Sequence, residues 1–170
     1  MAGDNTFKTR LDEAIKRHGK GIQGDRQAAA DAYAQLSELR KADPNDALTE
    51  AYYGSSLALT ARDETRILDK ADKANQGLAS LDRAVAMAPG NAVIRLIRAN
   101  VCLRLPEDFF GRTQTAINDF SELLARNEKK PGFLTPVQHK EALQGLAKAY
   151  ESIGKLNQAR SIRQQLSQLR

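Results

Sequence analysis

Tryptophan is absent from this chain of 170 residues, cysteine occurs once, histidine twice, and aromatic residues make up only 5%. The solitary Cys102 rules out an internal disulfide, and its place between Val101 and Leu103 predicts a buried thiol suited to a reducing compartment. No run of about 18 apolar residues occurs, so no membrane-spanning helix is expected. Met1 to Arg10 lacks the apolar stretch of an export signal, and the cytoplasm is the expected location. Alternating Val/Ile/Thr segments are missing as well, which argues against a sheet. His18 and His139 lie far apart, without cysteine or acidic neighbours at ligand spacing, so surface positions are predicted for them and no metal or cofactor is implied.

What is present is the make-up of a helical protein: 41% apolar residues, 28% charged, and an abundance of Ala, Leu, Lys, Arg, Glu and Gln. The length suits one domain over 1–170, with enough apolar surface to bury a core. The net charge of +5 is unevenly spread. From Arg126 onward there are nine Lys or Arg against three acids, whereas residues 1–125 hold 17 against 18. Such a surplus either solvates an ordinary helix face or attracts an acidic partner.

Hydrophobic spacing divides the chain into eight helices. Phe7, Leu11 and Ile15 mark one over about 5–18, followed by Gly19-Lys-Gly-Ile-Gln-Gly24. That stretch formally matches GxGxxG, but the phosphate-binding fingerprint must follow a strand, and here a helix precedes it. A flexible connecting loop is expected instead. Further helices are predicted over about 26–41, 47–61, 64–87, 92–105, 113–127, 136–153 and 156–169. Asp25, Asp46 and Asn91 stand where N-caps belong, and Thr135-Pro136-Val137-Gln138 combines a cap, a first-position proline and a box-closing glutamine. Between the fifth and sixth helices, Phe109 and Phe110 either cover the open side of the core or stand exposed as an anchor for a partner.

A small residue followed by apolar residues four and seven later recurs as Ala32/Leu36/Leu39, Gly77/Leu81/Ala84 and Ala116/Phe120/Leu123, then as Ala159/Arg163/Leu166. The copies are 45, 39 and 43 residues apart, within the range of solenoids built from helix pairs. The pattern resembles the tetratricopeptide repeat (TPR). Leu143, Leu146, Ala147, Tyr150, Gly154 and Ala159 follow the order of that family's apolar, small and aromatic positions, and Gly77, Leu81, Ala84 and Pro89 match its second helix and closing proline. The long second repeat and the loop carrying Phe109 and Phe110 also look like features of small bacterial TPR proteins.

The resemblance implies an all-α, right-handed superhelix of about four helix pairs, with repeats over about 5–45, 46–90, 91–129 and 135–170. A standard repeat takes about 34 residues. Pro44 to Pro89 takes 45, and the excess of 11, close to three helical turns, predicts added helix between Ala61 and Gly77. Arg163 takes a usually apolar place, as suits a last helix with nothing stacked beyond it.

No catalytic constellation can be assembled. Ser152 to Lys155 matches SxxK but lacks the accompanying motifs, and Asp69 and Asp72 read as salt-bridged surface. The expected work is non-catalytic: an adaptor or scaffold holding a protein or peptide on the concave face. By resemblance, that face carries Ser55, Leu96, Asn100, Arg104, Gln144 and Lys148. These residues either grip an acidic segment or a terminal carboxylate, or merely solvate a concave surface. The family's chaperone-binding carboxylate clamp is not reproduced, since Ala51, Leu96 and Gly145 stand at comparable positions. The alternatives are nucleic-acid binding by the basic C-terminal repeat, although it is poor in stacking aromatics, and self-association. The oligomeric state is not readable from the sequence.

Overall fold

Four side chains start helices by accepting the backbone N–H three residues on, which would otherwise lack a partner. Asp25 takes that of Ala28 (2.9 Å), Asp46 that of Thr49 (2.7 Å), Asn91 that of Ile94 (3.2 Å) and Thr135 that of Gln138 (3.2 Å). Gln138 completes a capping box by accepting the Thr135 N–H at 2.9 Å. In this computed structural model residues 2–169 are described, with side chains from Thr6 onward, and all their regular structure is helical. The elements are α1 (Ala2–Ile22), α2 (Arg26–Ala42), α3 (Ala47–Ala61), α4 (Ile67–Met87), α5 (Ala92–Arg104), α6 (Glu107–Phe110), α7 (Thr113–Lys129), α8 (Pro136–Ser152) and α9 (Leu156–Ser167). Among the described residues no helix is long and apolar enough to cross a membrane.

The helices gather into two compact units, residues 1–89 and 90–170. In the first, α1 packs on α2 and touches α3, which lies between α2 and α4. Leu11, Ala14, Ala32, Leu36 and Leu39 form a buried cluster there, flanked by Phe7, Ile15, Leu48, Tyr52 and Tyr53. The expected glycine loop is mostly helix. Helix α1 runs through Gly19 and Gly21 because α2 comes so close that a Cβ on Gly21 would lie 2.8 Å from that of Ala29. The chain turns only at Gly24 (φ +112°), where Asp25 N–H donates to Lys20 O and Gly24 N–H to Gly21 O, a Schellman closure.

Gly54 of α3 and Gly77 of α4 face each other, and a Cβ on either would lie 2.7 or 2.6 Å from the other's carbonyl oxygen. The two backbones therefore touch. Helix α4 starts at Ile67 rather than near Glu64, because residues 62–64 close i to i−3 turns and Asp63 is held by Arg26 and Arg62 (3.3 Å each). Its first buried residue is Ala74. The extra helix thus extends from Ile67 to Lys73 beyond the packed part, leaving Ile67 75% and Leu68 70% exposed.

The second unit repeats the scheme: α7 packs on α5 and α8, α5 touches α8, and α9 closes on α8. Gly154 (φ +74°) makes the same Schellman closure between α8 and α9, Lys155 N–H donating to Tyr150 O. Phe120 is wholly buried, its ring lying where a side chain on Gly145 would be. Helix α6 is one turn where a loop was expected. It is closed by Gly111 (φ +60°) and tied to α7 by Glu107, whose Oε2 accepts the Thr113 N–H at 2.7 Å. The stripes over Ala32–Leu39, Gly77–Ala84 and Ala116–Leu123 are buried as expected. In the last one Ala159 is buried and Arg163 is exposed, in a two-pronged pair with Glu151 (2.5 and 2.9 Å).

Candidate functional site

Helix α8 buries Ala142, Leu143, Gly145, Leu146, Ala147 and Ala149 against its neighbours. Residues four apart share a helix face, so the side turned away is a straight row, Lys140, Gln144 and Lys148, all exposed. Beside it runs α5, joined to α8 by a hydrogen bond from Asn100 Nδ2 to Glu141 Oε1 (2.6 Å). Arg104 follows Asn100 by one turn and is exposed at the C-terminal end of α5, where a cation suits the helix dipole. Of the six groove residues expected from the sequence, Asn100, Arg104, Gln144 and Lys148 therefore lie on α5 and α8 with their side chains half-buried or exposed.

The other two are placed differently. Leu96, one turn before Asn100, is buried and belongs to the core. Ser55 is buried in the first unit, its Oγ 2.9 Å from His18 Nε2. His18, expected on the surface, is itself only 4% exposed, with the Tyr52 ring edge-on at 5.4 Å. The missed signal was its spacing: Leu11, Ala14 and His18 continue one stripe of α1. Phe109 is 67% exposed and Phe110 half-buried, with ring centroids 5.4 Å apart. Phe109 is thus no cover for the core.

The site's electrostatics follow from how the unit's acids are used. Asp119, fully buried, accepts Arg95 Nη1 (2.7 Å) and Arg98 Nε and Nη2 (2.7 and 2.8 Å). Glu122 pairs with Arg126 (2.6 Å), whose hydrogen bond holds the carboxyl below the usual glutamate range. The Arg163 hydrogen bond does the same for Glu151, with Lys148 adding a weaker pull. Among the described residues Arg104, Lys140 and Lys148 make no ion pair within 4 Å, so the α5–α8 face carries their positive charges beside the Glu141 carboxylate.

Sequence reasoning also missed two buried ion clusters. Glu50 is 1% exposed and accepts Arg40 Nε (2.6 Å) and Arg83 Nη2 (2.5 Å), with Arg40 stacked 4.5 Å from the Tyr53 ring. Glu50 and Arg95 both stand four residues after an N-cap, Asp46 and Asn91, with opposite charges. A charged residue engaged in a buried ion pair thus stands at the same offset from the cap in α3 and in α5, with opposite sign, and that shared offset was the available signal. No family model matches the chain, and no curated protein sequence matches it.

Proposed function

We propose that the chain is a helical-hairpin protein of the tetratricopeptide type that binds a polypeptide, without catalysis, on the α5–α8 face of its second unit. The observation that carries this reading is the uncovered row Lys140, Gln144, Lys148 on α8, set beside Asn100 and Arg104 of α5. An amphipathic helix whose apolar side is fully engaged keeps its other side for solvent or for a partner. Two supports come from the packing: both units repeat one hairpin scheme, and Gly77, one of the recurring small residues, sits where the α3 and α4 backbones touch. The solitary buried thiol of Cys102 suits a reducing compartment, and the cytoplasm is the proposed location.

The test is affinity capture with the wild type and an Arg104→Ala/Gln144→Ala variant, both confirmed helical by circular dichroism. Polypeptides retained by the wild type and lost from the variant support the reading; identical sets remove the face from the account. Exposed Phe109 favours a second reading, self-association through α6. Light scattering decides it: a mass that rises with concentration and falls for Phe109→Ala supports self-association, and a constant monomer mass excludes it.

A further inference from the structure

Both units hold a buried carboxylate between two arginines, and the two clusters differ in how far they are closed. In the second unit Asp119 uses both of its oxygens, and its partners Arg95 and Arg98 have side chains only 16% exposed. In the first a single oxygen, Glu50 Oε2, holds Arg40 Nε at 2.6 Å and Arg83 Nη2 at 2.5 Å, while Glu50 itself is 1% exposed. The Arg40 and Arg83 side chains remain 33% and 49% exposed, and their other guanidinium nitrogens have no hydrogen-bond partner among the described residues. This cluster is open to solvent.

The open pair is also held in place. Two nitrogens bonded to one oxygen lie within about 5 Å of each other. Arg40 is stacked 4.5 Å from the Tyr53 ring, and Tyr53 is stacked on Tyr33 with centroids 5.8 Å apart, so α2 and α3 together fix the first guanidinium. Glu38 of α2 is engaged by Lys41 at 2.8 Å. One carboxylate against two guanidinium groups leaves one positive charge in the cluster. Because both groups are already ordered by the fold, a ligand that meets them loses little further side-chain entropy.

These features select the ligand. A carboxylate has two oxygens, which one guanidinium fork fills. A phosphate monoester has three oxygens on one centre and can take a fork from each of two arginines held this close. We propose that Arg40 and Arg83, set by the buried Glu50, form a binding site for a phosphate monoester in the first unit. The site does not depend on the α5–α8 reading. The monoester comes either on a phosphorylated side chain of a polypeptide or as a free small phosphate, and the chemistry at the arginines is the same.

The test follows the arginine Nε–H resonances of the full chain while inorganic phosphate is added at constant ionic strength, with acetate in parallel. Arg40 and Arg83 are expected to shift to saturation, phosphate binding about tenfold more tightly than acetate, while Arg95 and Arg98 of the closed cluster stay still. Arg83→Lys keeps a cation beside Glu50 but removes the fork, and is expected to lose about tenfold in phosphate affinity with its circular dichroism unchanged. A neutral phosphoserine peptide that binds more tightly than inorganic phosphate supports the site with a polypeptide as the source; equal or weaker binding supports it with a free phosphate. Shifts that never saturate, equal shifts at Arg95 and Arg98, equal affinity for acetate, or a folded Arg83→Lys with wild-type affinity overturns the proposal. If that variant does not fold, the comparison of the four arginines in the wild type decides by itself.

Discussion

Gly145 has no side chain because the Phe120 ring occupies its place: a Cβ there would lie 2.2 Å from Phe120 Cζ. Gly145→Ala is expected to cost about 1–3 kcal/mol, read as a lower midpoint in thermal or urea unfolding. Gly19 is the reverse case, since a Cβ there meets nothing within 4 Å and the residue lies inside α1. Gly19→Ala is expected to stabilise the protein by up to about 1 kcal/mol in the same assay. Asp119→Ala strips two arginines, each with a 16% exposed side chain, of their common carboxylate, and is expected to cost about 3–5 kcal/mol. At this scale the sequence was legible where one residue answers to its own helix. The stripe residues and the caps follow from spacing and local hydrogen bonding alone. His18 was read from its polar chemistry although its spacing continues the buried stripe of Leu11 and Ala14, whereas the burial of Leu96 depends on the helices packed against α5.

Helix ends divide in the same way. The starts of α2, α3, α5 and α8 are set by the capping side chain just before each, which accepts the N–H three residues on, and could be read in the sequence. The end of α1 could not, since Gly21 looks like a breaker and serves instead as the surface on which Ala29 rests. The overhang of α4 was expected from the length of its repeat, and it yields a prediction. Backbone amides late in 67–73 should exchange with solvent faster than those of Leu78, Leu81, Ala84 and Val85, which are buried. Equal protection across α4 would contradict an unsupported overhang. The α6–α7 junction yields another. Hydrogen bonds from the Thr113 side chain and then from its backbone N–H hold the Glu107 carboxyl below the usual glutamate range. A depressed folded-state pKa means that the latch stabilises the protein fully above the ordinary glutamate value and is lost as pH falls through the lowered one. The Thr113 amide resonance should therefore titrate with a midpoint below that of a free glutamate, and Glu107→Gln should abolish the titration.

For the whole molecule, all-helical character was legible from composition and period, whereas the candidate face was legible only in part. Asn100, Arg104, Gln144 and Lys148 came from the resemblance to helix-pair repeats. What spacing could not supply was which cations are already engaged by acids, because that depends on contacts between helices far apart in sequence, such as Arg98 with Asp119. Among the described residues, Lys140 and Lys148 of the α8 row are cations that no acid engages within 4 Å. The most direct test of the account is a photo-crosslinking amino acid placed at Gln144 on the α8 row, with a control at Gln164 on exposed α9. Covalent adducts to a polypeptide are predicted from position 144 and none from position 164. Adducts from 164 alone, or equal adducts from both positions, would contradict it.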